Sequence, residues 1–120
     1  MSLPFLAAML TIRREQMRVF QDHLWESFLA DIVVRARAEL PESCIDRSDE
    51  ELLALLRAPL RQAAAQGIIL TADVTRYGLW ILRRGQAPNP GGDDPVSRVL
   101  NDPHLMGTAK LDALERVGAA

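Results

Sequence analysis

The stretch TIRREQMRVFQDHLWESFLADIVVRARAEL, residues 11–40, decides the fold, because it holds no glycine or proline and is followed directly by Pro41. Thr11 is a suitable N-cap, and the residue before Pro41 is forced out of helical geometry. These features predict one long helix. Its apolar positions recur every three or four residues, which is the spacing of one helical face: Met17, Phe20, Leu24, Phe28 and Ile32.

The apolar face of this helix broadens after Leu24. Trp25, Leu29, Val33 and Ala36 join it, and at 100° per residue the apolar sector then covers about 200° of the helix surface. Packing on one side requires roughly half of that. A helix of this kind either lies centrally, with neighbours on two sides, or keeps one face for a partner.

Capping signals place two further helices. Ser48 and Glu51 are spaced as a capping box at the start of the second helix. Pro59 is expected to kink or split this helix, because it removes a hydrogen bond and crowds the preceding turn. Gly67 is suited to a left-handed C-cap. The third helix is predicted between residues 71 and 85; it is apolar nearly all round and should be buried in the middle of a bundle.

Two aspartate–proline pairs predict the last helices. Asp94-Pro95 and Asp102-Pro103 each place an acidic N-cap before a proline suited to the first helical position. The turn or helix that the second pair opens can be short, and a helix can restart at Thr108. No segment shows the two-residue alternation of a strand. The sequence therefore predicts an all-α fold, a single compact bundle of about five helices with the first long and the last two short. Residues 1–10 are predicted to be an N-terminal extension, and residues 11–120 a single helical domain.

The composition of the 120 residues is that of an ordinary globular protein, with 48% hydrophobic and 25% charged residues. The net charge of −2 provides no general attraction to nucleic acid or to an anionic membrane. Cys44 is the single cysteine and cannot form an internal disulfide, which suits a reducing cytoplasm. The apolar start is too short to span a bilayer and lacks a basic lead-in. We therefore expect a cytoplasmic protein without a membrane association.

Residues suited to catalysis or metal binding are few. His23 and Glu26 are three residues apart on the first helix, but they fall on its polar side. Cys44 is better explained as a small buried packing residue than as a nucleophile. Gly91-Gly92 matches neither phosphate-binding fingerprint, since no strand precedes it and no lysine follows it. The sequence predicts no catalytic residue, no cofactor and no metal site, and hence no enzyme.

Nucleic-acid binding is the alternative from another functional class. Arg13, Arg14 and Arg18 form the best basic cluster on the first helix, and the third helix carries Arg76, Arg83 and Arg84. A recognition helix presents basic and polar residues on its outer face, whereas the third helix is too apolar to lie in a groove. We therefore expect no nucleic-acid partner; the alternative hypothesis is a small helical DNA-binding regulator.

Surplus apolar residues indicate protein binding instead. The candidate protein-binding residues are Trp25, Leu29, Val33 and Trp80, because exposed aromatic and aliphatic patches mark protein interfaces. The competing interpretation is that these side chains simply fill the core. A protein partner and a homodimer both fit the broad apolar face of the first helix.

Several short motifs resemble a group of small helical proteins that are encoded in bacterial type VI secretion loci. The resemblance extends from Met9 to about Val117, with motifs at residues 9–13, 16–17, 41–44, 67–68, 73–77, 102–107 and 110–114. The group usually carries a tryptophan ahead of its last helices, where this chain has Val96. The resemblance implies a non-enzymatic accessory protein, a co-chaperone or adaptor. Its partner would be a secretion effector, the effector's chaperone or a spike protein, bound before loading on the spike.

Overall fold

The structure is a computed structural model that describes the backbone of residues 3–118 and the side chains of residues 21–118. The chain is 73% helical, and no strand occurs within residues 3–118, so the all-α prediction is confirmed. The helices are α1 (Leu3–Glu39), α2 (Pro41–Cys44), α3 (Asp49–Gln62), a 3-10 turn (Ala64–Gln66), α4 (Thr71–Arg84), α5 (Pro95–Leu100) and α6 (Gly107–Gly118).

The helix boundaries differ from the sequence prediction at two places. α1 begins at Leu3 and passes through Thr11 without a break, since Pro4 in the first turn is compatible with a helix and no other breaker precedes Pro41. Pro41 opens an additional four-residue helix, α2. The division into an extension, residues 1–10, and a domain, residues 11–120, stays a prediction.

The predicted caps of α3 are largely present. The Ser48 hydroxyl accepts a hydrogen bond of 3.2 Å from the Glu51 amide. The Glu51 carboxylate accepts from the Ser48 hydroxyl at 3.3 Å, and not from the cap amide as in a full capping box. α3 continues through the buried Pro59 to Gln62, so this proline does not split it. Gly67 is left-handed with φ of +85° and ends the 3-10 turn as predicted.

α4 lies at the centre of the bundle. It packs against α1, α2, α3 and α6, as its nearly continuous apolar surface predicts. Tyr77, Trp80 and Ile81 of α4 meet Leu29 and further side chains of α1, α3 and α6 in one core. The wide apolar sector of α1 is explained in the same way, because α2, α3 and α4 all pack against it.

A buried lysine binds the free carbonyl groups at the ends of two neighbouring helical segments. Lys110 of α6 donates hydrogen bonds to the carbonyl oxygens of Gln66 at 2.5 Å and Leu100 at 2.7 Å. These carbonyls lie at the C-terminal ends of the 3-10 turn and α5, where helical carbonyls lack partners within the helix. Burial lowers the pKa of the Lys110 ammonium, and the Asp102 carboxylate opposes that shift. Lys110 thus joins three elements through their helix ends.

Replacing this lysine should therefore destabilise the fold. We expect Lys110→Met to lower the free energy of unfolding by about 2–4 kcal/mol, because one buried and one partly buried carbonyl lose their donor. Urea denaturation of both proteins measures the difference. Arg61→Met, at an exposed position of α3, is the control and should change stability by less than about 0.5 kcal/mol. Equal stability of the Lys110 variant and the wild type would contradict the role of Lys110.

The buried hydroxyl of Tyr77 makes the free energy of unfolding depend on pH in the alkaline range. Burial raises the pKa of its hydroxyl above the ordinary value of 10.0, so above that pH the unfolded chain binds fewer protons than the folded one. Stability should fall as pH rises, by up to about 1.4 kcal/mol per pH unit. Tyr77→Phe should lose this component, which denaturation curves near about pH 11 would reveal. Lys110 contributes a slope of opposite sign to both proteins, and it cancels in the comparison.

Candidate protein-binding groove

A groove of about 620 Å³ runs between α1, the end of α3 and the loop that leads into α4. Its walls are mainly apolar, and Asp22 and Arg61 provide opposite charges. The lining residues are Gln21, Asp22, Trp25, Phe28, Leu60, Arg61, Ala63, Ala64, Ile68, Ile69, Thr71 and Val74. The volume falls within the range of about 300–1,000 Å³ that is usual for ligand sites.

Trp25 is the main aromatic residue of the groove. Its ring packs on Phe28, with the ring centroids 6.0 Å apart. The Trp25 indole N–H is buried and has no acceptor within the described part of the chain. An unpaired buried donor costs roughly 1–3 kcal/mol, so this end of the indole is the least favourable part of its packing.

The loop before α4 adds an exposed apolar ridge to the groove. Gly67 turns the chain, and the Ile68 amide then donates to the Ala63 carbonyl at 2.9 Å. Ile68 is buried by this turn, whereas Ile69 and Leu70 remain about two-thirds exposed. Ile69 also lines a second depression of about 350 Å³, which is bordered by Met106, the residue before α6. The apolar surface therefore continues across the ridge instead of ending at the groove.

Three of the four predicted protein-binding residues belong to the core. Leu29, Val33 and Trp80 are no more than 3% exposed, since the broad apolar sector of α1 is covered by its neighbours. This burial corrects the expectation that they form a surface, and only Trp25 of the four lines the groove. Sequence reasoning missed Ile69 and Leu70; three consecutive apolar residues after a glycine, at positions 68–70, were the available signal.

The histidine and cysteine side chains considered for chemistry are not assembled into a site. Glu26 is engaged by Arg57 at 3.2 Å, His23 is exposed, and Cys44 is buried as predicted. Within residues 21–118, no three His, Cys, Asp or Glu side chains are grouped so that they could hold a metal ion. None of the described helices is long and apolar enough to cross a membrane.

The Gly91-Gly92 turn is shaped by a carboxylate. A Cβ at Gly92 would lie 2.7 Å from an Asp94 oxygen and 2.8 Å from the Ser97 hydroxyl. The Ser97 hydroxyl donates to Asp94 at 2.6 Å and holds the pKa of that carboxyl below its ordinary value. An ionised carboxylate repels a phosphate, so this turn is no phosphate cradle.

Two of the arginines considered for DNA contacts are engaged within the protein. Arg76 donates to Asp112 at 2.7 Å and to Glu115 at 3.0 Å, and this contact lowers the pKa of the Glu115 carboxyl. The Arg84 guanidinium lies 4.8 Å from the centre of the Trp80 ring. Arg83 is exposed, while the side chains of Arg13, Arg14 and Arg18 lie outside the described residues.

Comparison of the chain with known protein families, curated proteins and solved structures found no match.

Core and groove residues should respond differently to substitution. We expect Leu29→Asp to unfold most of the protein, because a carboxylate at a fully buried position costs more than about 4 kcal/mol. Trp25→Ala should lower stability by only about 1–2 kcal/mol, since part of this side chain faces the groove. Circular dichroism and thermal melting distinguish the two variants. A folded Leu29→Asp protein would contradict the assignment of Leu29 to the core.

Proposed function

We propose that this protein is a non-catalytic binding module whose groove holds an amphipathic helix of a partner protein. The observation that carries the proposal is the continuous apolar surface formed by Trp25, Phe28 and the exposed Ile69. Contiguous exposed apolar surface marks interaction sites, and a helix can place apolar residues in such a groove at every third or fourth position.

A protein segment fits this surface better than a small polar molecule does. The groove is open, and its apolar wall continues onto a ridge that no small ligand would cover. The charges of Asp22 and Arg61 in the groove lining favour oppositely charged residues at the edge of the partner. The partner is thus an amphipathic helix with charged residues beside its apolar face.

The motifs that resemble type VI secretion accessory proteins support a more specific role. In this proposal the protein acts as a co-chaperone or adaptor, and the helix that it holds belongs to an effector, to the effector's chaperone or to a spike protein. Covering an apolar helix before loading would keep it from aggregating. The groove supports the binding role, and the resemblance alone supports the identity of the partner.

The test compares two exposed isoleucines. Ile69→Glu places a charge on the ridge, and Ile45→Glu changes an isoleucine of similar exposure, 76% against 65%, that does not line the groove. Tagged wild-type and variant proteins are used to capture partners from the native cytoplasm, followed by mass spectrometry. We expect the wild type and Ile45→Glu to retain the same secretion protein and Ile69→Glu to lose at least about 90% of it, which corresponds to about 1.4 kcal/mol.

Two results would count against the proposal. Equal recovery of the partner by the Ile69 variant would remove the groove from the interface. Recovery of a specific partner that is unrelated to secretion would keep the groove and overturn the secretion role. Circular dichroism of both variants verifies that the fold is intact.

A further inference from the structure

The two walls of the groove carry different side chains. The wall formed by α1 presents the carboxylate of Asp22 and the aromatic rings of Trp25 and Phe28. The opposite wall, formed by the end of α3 and the loop before α4, presents the guanidinium of Arg61 and the aliphatic side chain of Ile69. Within the described part of the chain, Asp22 and Arg61 are the only charged residues that line the groove. Each wall therefore combines one charge with an apolar surface, and the two charges are opposite.

The wall opposite α1 also protrudes. Ile69 is 65% exposed, because the turn at Gly67 directs only Ile68 into the core. The Ile69 side chain lines both the groove and the second depression, and it therefore separates two concave regions. On the α1 wall, by contrast, Trp25 and Phe28 are partly buried. A surface that has a convex part beside a concave part can fit a second copy of itself, as a two-fold interface requires.

A two-fold axis through the groove exchanges the two walls between two copies. The α1 wall of each copy then faces the opposite wall of the other copy. In this arrangement Asp22 lies against Arg61 of the second copy, and Ile69 packs on Trp25 and Phe28 of the second copy. Each contact occurs twice in the dimer. The charge pairs fix the orientation of the two copies, and the removal of Ile69 and the aromatic rings from water supplies most of the affinity.

Charge complementarity identifies the second copy as an occupant of the groove. A matching surface has to bring a base beside a protruding aliphatic residue to the α1 wall, and an acid beside an apolar recess to the opposite wall. The walls of the groove themselves carry both combinations. We propose that two copies of this protein cover each other's grooves in a two-fold dimer when no partner helix is bound. The dimer follows from the groove alone, whereas its role, to shield the groove until the partner helix displaces the second copy, rests on the proposed function.

The experiment that tests the dimer reverses the two charges singly and together. Sedimentation equilibrium of the purified full chain, without a partner, should show a dimer. Asp22→Arg and Arg61→Asp each bring like charges together twice, and each should raise the dimer dissociation constant at least about tenfold. The double variant Asp22→Arg/Arg61→Asp regains both opposite pairs and should dimerise within about threefold of the wild type. An equimolar mixture of the two single variants should form a heterodimer for the same reason.

Substitutions outside the charge pair complete the test. Ile69→Glu places a carboxylate against the aromatic rings of the second copy and should also raise the dissociation constant at least about tenfold. Ile45→Glu and Asp46→Arg change exposed residues that do not line the groove, and these matched controls should dimerise like the wild type. Circular dichroism verifies that every variant is folded. A monomeric wild type, single charge variants that dimerise as tightly as the wild type, or a double variant that stays monomeric would overturn the proposal.

The outcome for the dimer can be separated from the outcome for the proposed function. Sedimentation is measured without a partner, whereas the capture experiment is read from the proteins that the tagged chain retains. A monomeric wild type that still captures its partner through Ile69 would overturn the dimer and leave the binding role in place. A wild type that dimerises through the groove but retains no partner would overturn the proposed function and leave the dimer in place.

Discussion

Gly78 lets α4 approach α1 so closely that a Cβ at this position would lie 3.2 Å from the Ile32 side chain and 3.5 Å from that of Leu56. The absence of a side chain at one point thus determines the separation of three helices. α4 then serves as the common neighbour of α1, α2, α3 and α6. The walls of the groove hold their positions because α1 and the end of α3 are packed on this shared helix.

Arginines tie the ends of the helices together around this centre. Arg37 of α1 donates to the Cys44 carbonyl at 3.1 Å, to the Arg47 carbonyl at 2.8 Å and to Asp49 at 2.8 Å. One planar side chain thereby connects α1 with the end of α2 and the start of α3. Arg76 joins α4 to α6 in the same manner. Both arginine side chains are only about one-third exposed to water, and their forked geometry makes these contacts more specific than an exposed lysine pair would be.

Much of the fold could be predicted from local signals, because Ser48, Gly67 and Gly85 act on the backbone within a few residues of their own positions. The role of Leu29, Val33 and Trp80 could not, since periodicity shows that a helix face is apolar but not how many neighbours will cover it. The groove could not be predicted from the sequence either. It is assembled from α1, α3 and residues 68–74, which are distant in sequence, and its exposed ridge lies in a loop where helical periodicity carries no information.

Lys110 is the single lysine of the chain, and the fold places it in the interior. Apart from protonated histidine, the positively charged side chains outside the core are consequently guanidinium groups, which do not undergo the acylation and conjugation reactions of primary amines. A lysine-directed modifying system would find no side-chain target on the folded molecule. Its target would become accessible once α6 separates from α5 and the 3-10 turn, so chemical labelling of this one side-chain amine would report the opening of the bundle.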